Sequence, residues 1–181
     1  MAPITSFIRW VGGKSWLVPF VKELTEGLNY NNYFEPFMGG ASIFFSMDNP
    51  HQSYLSDVNK ELVNAFCSVR DKPETVISYL KRFKSDEESY YIIRNTMHKG
   101  SYISAARFLY LNANSFNGIY RVNRQGQYNV PYGKKEKTVN YERLKEISLK
   151  LQNVNIQCHD FYDIRDNIQE RDLVFLDPPY T

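Results

Sequence analysis

Cysteine is scarce in this chain: 181 residues hold two, Cys67 and Cys158, far apart and without C-x-x-C spacing. No disulfide framework is read from them, and both are expected as free, partly buried thiols. His51 and His98 show no metal-ligand spacing, so no metal site is expected. Net charge is only +2, and nucleic-acid binding would have to rest on a local patch. No apolar run approaches bilayer length and no basic-then-apolar leader opens the chain, which makes an intracellular, cytoplasmic protein the expectation. What the chain has in plenty is aromatic: 14 Tyr and 12 Phe, enough both to build a core and to offer stacking surfaces. The length suits one domain, or one and a fraction.

The most informative stretch is the last, Leu173-Val174-Phe175-Leu176-Asp177-Pro178-Pro179-Tyr180. Four apolar residues bounded by a Pro-Pro breaker predict a strand buried on both faces. The two prolines remove backbone donors and stiffen the segment beyond the strand. An acid, rigid carbonyls and a ring are thus presented where open α/β sheets bind ligands, at a strand's C-terminal end. Such a group suits a flat nitrogen heterocycle with an amino group. Tyr180 would stack on the ring while Asp177 and the Pro178 carbonyl accept the amino hydrogens. An ordinary proline turn with a surface tyrosine is the competing reading.

Upstream, Gly12-Gly13-Lys14-Ser15 opens a helix whose Trp16, Leu17, Phe20, Val21 and Leu24 recur on one face, with Pro19 in its first turn. The likeness to a phosphate loop is superficial, because G-x-x-x-x-G-K-[ST] lacks its first glycine here. A strand over Tyr33-Phe34-Glu35-Pro36 runs into the turn Phe37-Met38-Gly39-Gly40-Ala41, then a helix with Ile43, Phe44, Phe45 and Met47. Adjacent glycines let backbone approach a ligand. A second strand, Tyr54-Leu55-Ser56-Asp57, places an acid close to the roughly 20-residue separation at which a carboxylate reaches ribose hydroxyls. An adenosine-containing cofactor is the resulting hypothesis; Asp57 could equally cap the helix carrying Leu62, Val63, Phe66 and Val69.

Residues 71–114 read as three helices without an intervening strand: one behind Pro73, one behind a Ser85/Glu88 capping box, and one carrying Ala105, Phe108, Leu109 and Leu111. That composition marks an insertion in an α/β pattern. From Asn117 to Gly133 the period changes to two, with Tyr120 and Val122 mirroring Tyr128 and Val130 across a polar tip, the signature of a hairpin. It displays Arg121, Asn123, Arg124, Gln125 and Gln127, followed by Lys134, Lys135 and Lys137. Arg, Asn and Gln pair with purine edges, a two-stranded ribbon fits the major groove and lysines hold phosphates; a merely solvated hairpin is the alternative. A helix with Tyr141, Leu144, Ile147 and Leu151 precedes a third strand, Val154 to Cys158, ending in His159-Asp160-Phe161. Cys-His-Asp in sequence cannot form a triad, since strand neighbours face opposite ways; an acid and an aromatic at a strand end suit a cofactor adenine.

Taken in order, W-x-G-G-K, F-E-P-F-M-G-G, S-D-V-N, F-N-G-I-Y-R-V-N-x-x-G-x-Y-N-V-P-Y-G and D-P-P-Y, the chain resembles the Dam-type (D12 class) DNA adenine-N6 methyltransferases over nearly its whole length. The resemblance implies an open, mostly parallel S-adenosylmethionine-dependent methyltransferase sheet with an inserted helical subdomain and β-hairpin. The cofactor and catalytic domain would be 1–58 with 140–181, and the recognition insertion 59–139. It implies cofactor contacts from Trp10, Gly12, Lys14, Glu35, Pro36, Phe37, Gly39, Gly40, Asp57, Asp160, Phe161 and Asp177, with S-adenosylhomocysteine as product. The catalytic strand end would be Asp177, Pro178, Pro179 and Tyr180. Double-stranded DNA would be held by Arg121, Asn123, Arg124, Gln125, Gln127, Asn129, Pro131, Tyr132, Lys134 and Lys135, with GATC as a family-based guess at the site. Ala41 stands where the family often has a third glycine.

Such enzymes continue past this tetrapeptide, whereas the sequence stops at Thr181. The expectation is a truncated or split enzyme, otherwise monomeric, with an unpaired edge on its last strand and a complementing C-terminal fragment as partner. A DNA-binding remnant without turnover is the runner-up.

Overall fold

The computed structural model describes residues 5–47, 52–134 and 139–179. Each short apolar run bounded by turn residues forms a parallel strand: β1 (Asn32–Glu35), β2 (Gln52–Ser56), β3 (Val154–Gln157) and β4 (Leu173–Val174). Their spatial order is β3-β2-β1-β4. The chain therefore builds outward from β1 in one direction and returns to add β4 on the other side. That reversal makes a switch point between β1 and β4, the place where open α/β sheets bind ligands. Along β1, alternation sends Phe34 to one face, stacked on Tyr54 of β2 at 4.5 Å and 7°. It sends Tyr33 and Glu35 to the other, where their side chains meet.

Seven α-helices accompany the strands among the described residues: α1 (Val18–Thr25), α2 (Ser42–Ser46), α3 (Lys60–Asp71), α4 (Pro73–Leu80), α5 (Glu87–Asn95), α6 (Ser101–Asn114) and α7 (Tyr141–Lys150). The hydrophobic core runs through both the sheet region and the stretch expected as an insertion, from Phe44 and Leu55 to Leu109 and Tyr128. Each fully buried Leu or Phe there contributes about 1.5–3 kcal/mol. α3 faces both ways. Arg70 Nη1 donates to the Val154 carbonyl of β3, and Asn64 Nδ2 to the Ser101 carbonyl of α6. No helix among the described residues is long and apolar enough to cross a membrane.

Several local expectations are corrected. β4 is not buried on both faces: only Leu173 and Val174 pair with β1, and Leu176 is 59% exposed. The cause is position, since β4 is the last strand of the sheet and its outer edge has no partner among the described residues. α1 forms where expected, yet Trp16, Phe20 and Leu24 face outward. Leu17 and Val21 of the expected face do pack on the core, together with Val18. α5 is capped by Asp86, not Ser85; its carboxylate accepts both the Ser89 N–H and hydroxyl, a stronger acceptor at a helix start. Asn59, not Asp57, caps α3. Cys158 is exposed rather than partly buried, lying just beyond the end of β3.

The ribbon between Asn117 and Gly133 forms with less regularity than an alternating hairpin. Val122 bridges Tyr128 and Ser115 bridges Tyr132, with the register slipping between them, so each is an isolated bridge. Asn129 N–H donates to the Arg121 carbonyl and Asn123 N–H to the Gln127 carbonyl, closing the tip.

Candidate active site

The turn after β1 is shaped by its backbone. Gly39 has φ +43, and a Cβ there would lie 2.7 Å from Trp10 Cδ1, so only glycine lets the indole lie against the turn. Ala41 follows at φ +51, the left-handed conformation that explains why a glycine would be at home there. Two acids fasten this turn. Glu35, buried at the end of β1, accepts from the Tyr33 hydroxyl at 2.7 Å and the Phe44 N–H at 3.1 Å, tying strand to α2. Asp57, at the end of β2, accepts from Gly39 N–H at 3.1 Å and Asn59 N–H at 2.9 Å. Burial raises the pKa of both: Asp57 is shifted upward, and Glu35 is pushed to about 8 despite its two donors.

β4 brings in the last element. Asp177 lies beyond its end, and Lys14 Nζ reaches Asp177 Oδ2 at 2.7 Å and the Gly12 carbonyl at 2.7 Å. Residues distant in sequence thereby close a cleft of about 550 Å³ at the switch point. Of the residues expected to hold a cofactor, Trp10, Gly12, Lys14, Glu35, Phe37, Gly39, Gly40, Asp57 and Asp177 line it, as do Pro178 and Pro179. Pro36 is buried within the turn and does not line the cleft. Asp160 and Phe161 do not line it. The Asp160 carboxylate caps the 3-10 helix Phe161–Asn167, accepting from Tyr162 N–H at 3.0 Å, and Phe161 touches the cleft only through Phe37, its ring centroid 5.2 Å away. Tyr180 lies outside the described residues, as do Lys135, Lys137 and His51.

Trp10 is shared between the cleft and the ribbon. Its ring stacks on Tyr120 at 5.3 Å and 24°, and Phe108 lies beside both. The root of the ribbon is pinned: the Val130 carbonyl accepts from the Tyr90 hydroxyl and Arg94 Nη1, and the Tyr132 hydroxyl donates to the Ser85 carbonyl. Of the side chains expected to meet DNA, Arg121, Arg124, Gln125, Gln127, Pro131 and Lys134 are exposed, while Asn123, Asn129 and Tyr132 are half-buried. Arg121 Nε donates to Asn129 Oδ1, and Asn123 Oδ1 accepts the N–H groups of Gln125 and Gln127, an internal brace for the tip.

Sequence reasoning passed over four residues here. Phe116 is 53% exposed at the ribbon's entrance, beside Asn117 at φ +55. An aromatic directly before Asn-Gly was the available signal. Asn59 lines the cleft, and its position two residues after Asp57 hinted at it. Tyr120, which stacks on Trp10, was legible only as a hairpin position, and Asn112, which clasps the Arg9 backbone, carries no local signal.

An open parallel sheet with a glycine turn and acids from successive strand ends gathered at its switch point has the build of a methyltransferase domain. The chain belongs to the D12 class N6 adenine-specific DNA methyltransferase family, whose profile matches residues 10–181. It is 36% identical over 186 residues to a type II methyltransferase of Lactococcus lactis subsp. cremoris, covering 96% of this chain and 65% of that relative. A type II methyltransferase of Methanocaldococcus jannaschii is 31% identical, with 98% and 69% covered. The DNA adenine methylase of Escherichia coli K12 is 30% identical, with 97% and 65% covered. The chain thus spans about two thirds of the length of these relatives. Membership of the family implies a methyl donor.

Proposed function

We propose that this chain carries the methyl-donor site, the DNA-reading ribbon and the amine-binding strand end of an enzyme that methylates adenine N6 in duplex DNA. The observation that supports this most is the convergence of the ends of β1, β2 and β4 on one cleft, with Asp177-Pro178-Pro179 at its wall. The cleft fits S-adenosylmethionine: Gly39 lets the Trp10 indole lie against the turn as an apolar wall, and the half-buried Asp57 keeps lone pairs for ribose hydroxyls. Bound there, this donor would supply an electrophilic methyl group.

The chain's own residues would do the rest. The adenine amine is a weak nucleophile because its lone pair is delocalised into the ring. Asp177 and the Pro178 carbonyl, which accepts no hydrogen bond among the described residues, would take the amine's two hydrogens and localise that lone pair as positive charge develops. Lys14 would hold the Asp177 carboxylate toward the cleft. Tyr180 would stack on a base turned out of the duplex. Arg121, Arg124, Gln125, Gln127 and Lys134 would face the DNA, with Phe116 at the ribbon's entrance as a ring able to press on the base stack. On this reading residues 59–139 form the recognition insertion, though α3 at its start is equally part of the sheet's packing.

The test is transfer of a tritiated methyl group from S-adenosylmethionine to duplex DNA, with N6-methyladenine identified by mass spectrometry. Label appearing there, and lost in Asp177→Ala, supports the reading; label on cytosine or on protein overturns it. The outer edge of β4, which has no strand partner among the described residues, favours a second reading, in which turnover needs a further polypeptide segment along that edge. In that case the chain alone binds S-adenosylhomocysteine and DNA without transferring methyl groups.

A further inference from the structure

Trp10 belongs to two assemblies at once. Its indole lies against Gly39 in the cleft and stacks on Tyr120 at the root of the ribbon. Tyr120 is itself fixed from behind, its hydroxyl donating to Glu61 Oε2 at 2.8 Å, and its ring meets Tyr128 on the opposite limb at 5.8 Å. A second link runs in parallel. The buried amide of Asn112 accepts from the Arg9 N–H at 2.9 Å and donates to the Arg9 carbonyl at 2.8 Å, clasping the backbone just before Trp10. The same Nδ2 donates to the Gly118 carbonyl at 3.0 Å, where the ribbon begins. Gly118 has φ +67, and a Cβ there would collide with the Arg9 side chain, so the two segments touch directly.

We infer that Tyr120 and Asn112 are positioning residues through which occupancy of the cleft sets the geometry of the DNA-reading ribbon, so that an S-adenosyl ligand and duplex DNA bind with positive cooperativity. The inference rests on the proposed function. A ligand in the cleft confines the indole, and the indole confines Tyr120 and the ribbon root. DNA on the ribbon confines the same rings from the other side. Whichever binds first bears the ordering of the shared rings, and the second ligand binds without that cost. By linkage the factor is equal in both directions.

The experiment measures DNA affinity by anisotropy of a fluorescein-labelled duplex with and without saturating S-adenosylhomocysteine. Calorimetry with S-adenosylhomocysteine, with and without duplex, gives the reverse leg. Each affinity should rise by the same factor, within the roughly 5–150-fold range of such couplings. Tyr120→Leu and Asn112→Ala should each reduce the factor while each ligand alone still binds, and Tyr120→Phe, which keeps the ring stack, should restore it. A second readout needs no variant at the link. In Trp16→Phe, which leaves Trp10 as the only tryptophan, DNA alone should change the indole emission. A wild-type factor of 1 with both ligands bound, an unchanged factor in Tyr120→Leu, or Trp10 emission indifferent to DNA overturns the inference and leaves the functional reading standing. Failure of S-adenosylhomocysteine to bind at all overturns both.

Discussion

The Lys14 ammonium and the Asp177 carboxylate meet at 2.7 Å, joining the glycine turn of the N-terminal segment to the end of β4. Both side chains are mostly buried, at 13% and 20% exposed, so the contact holds the acid at one wall of the cleft. Lys14→Gln should lower methyl transfer by about 100-fold, the cost of misplacing a reacting group by about an ångström. Binding of S-adenosylhomocysteine should fall much less. Single-turnover kinetics beside calorimetry separates the two, and an equal loss in both would show that Lys14 serves the donor rather than Asp177.

Glu35 makes stability depend on pH in an unusual direction. Burial raises its carboxyl from 4.5 to about 8, so between those values the folded chain carries a proton that the unfolded chain has released. Its contribution is fully present below pH 4.5 and is lost as pH rises through 8. The slope inside that window approaches about 1.4 kcal/mol per pH unit. Urea unfolding of wild type and Glu35→Gln from pH 5 to pH 9 isolates it: the variant's advantage should grow with pH. A difference that stays constant across the series would refute an elevated Glu35.

Gly39→Ala places a methyl group 2.7 Å from Trp10 Cδ1 on a backbone at φ +43. The strain should destabilise the fold by about 1–3 kcal/mol. Displacing the indole should also weaken S-adenosylhomocysteine binding. Chemical denaturation and calorimetry on the same preparation measure both. The control Gly27→Ala has a similarly positive φ, yet nothing lies within 4 Å of its Cβ, so it should lose stability only.

Arg124 and Gln125 stand at the ribbon tip, and neither side chain has a hydrogen-bond partner among the described residues. Arg124→Ala should leave the melting temperature within the small range of surface changes while weakening DNA binding. If Arg124 meets a phosphate, the dependence of affinity on salt should become shallower by about one unit of slope. A base contact would instead show as relaxed preference at one position of the site. An unchanged affinity at every sequence would remove Arg124 from the DNA surface.

The features legible in the sequence were local. The apolar runs ending in Glu35, near Asp57 and before Asp177 announced strands because they are short, β-rich and stopped by turn residues, and Gly39-Gly40 announced the turn between them. The stacking of Trp10 on Tyr120 and the clasp of Asn112 on Arg9 were not legible, since nothing near either partner marks the other. Periodicity also misled at α1. The spacing of Trp16, Phe20 and Leu24 showed that an apolar stripe exists and could not say whether anything covers it. At Asp160 the residue type fitted a ligand role and a capping role equally, and the carboxylate takes up the cap.

The ribbon is fastened at Val130 and Tyr132, whereas its tip is braced only by Asn123 on its own neighbours. Arg124, Gln125 and Gln127 can therefore be exchanged without disturbing a buried contact, while Gly126 at φ +75 keeps the turn. If the ribbon reads DNA as proposed, sequence preference is in this way a replaceable cartridge, open to change while the chemistry behind it stays the same.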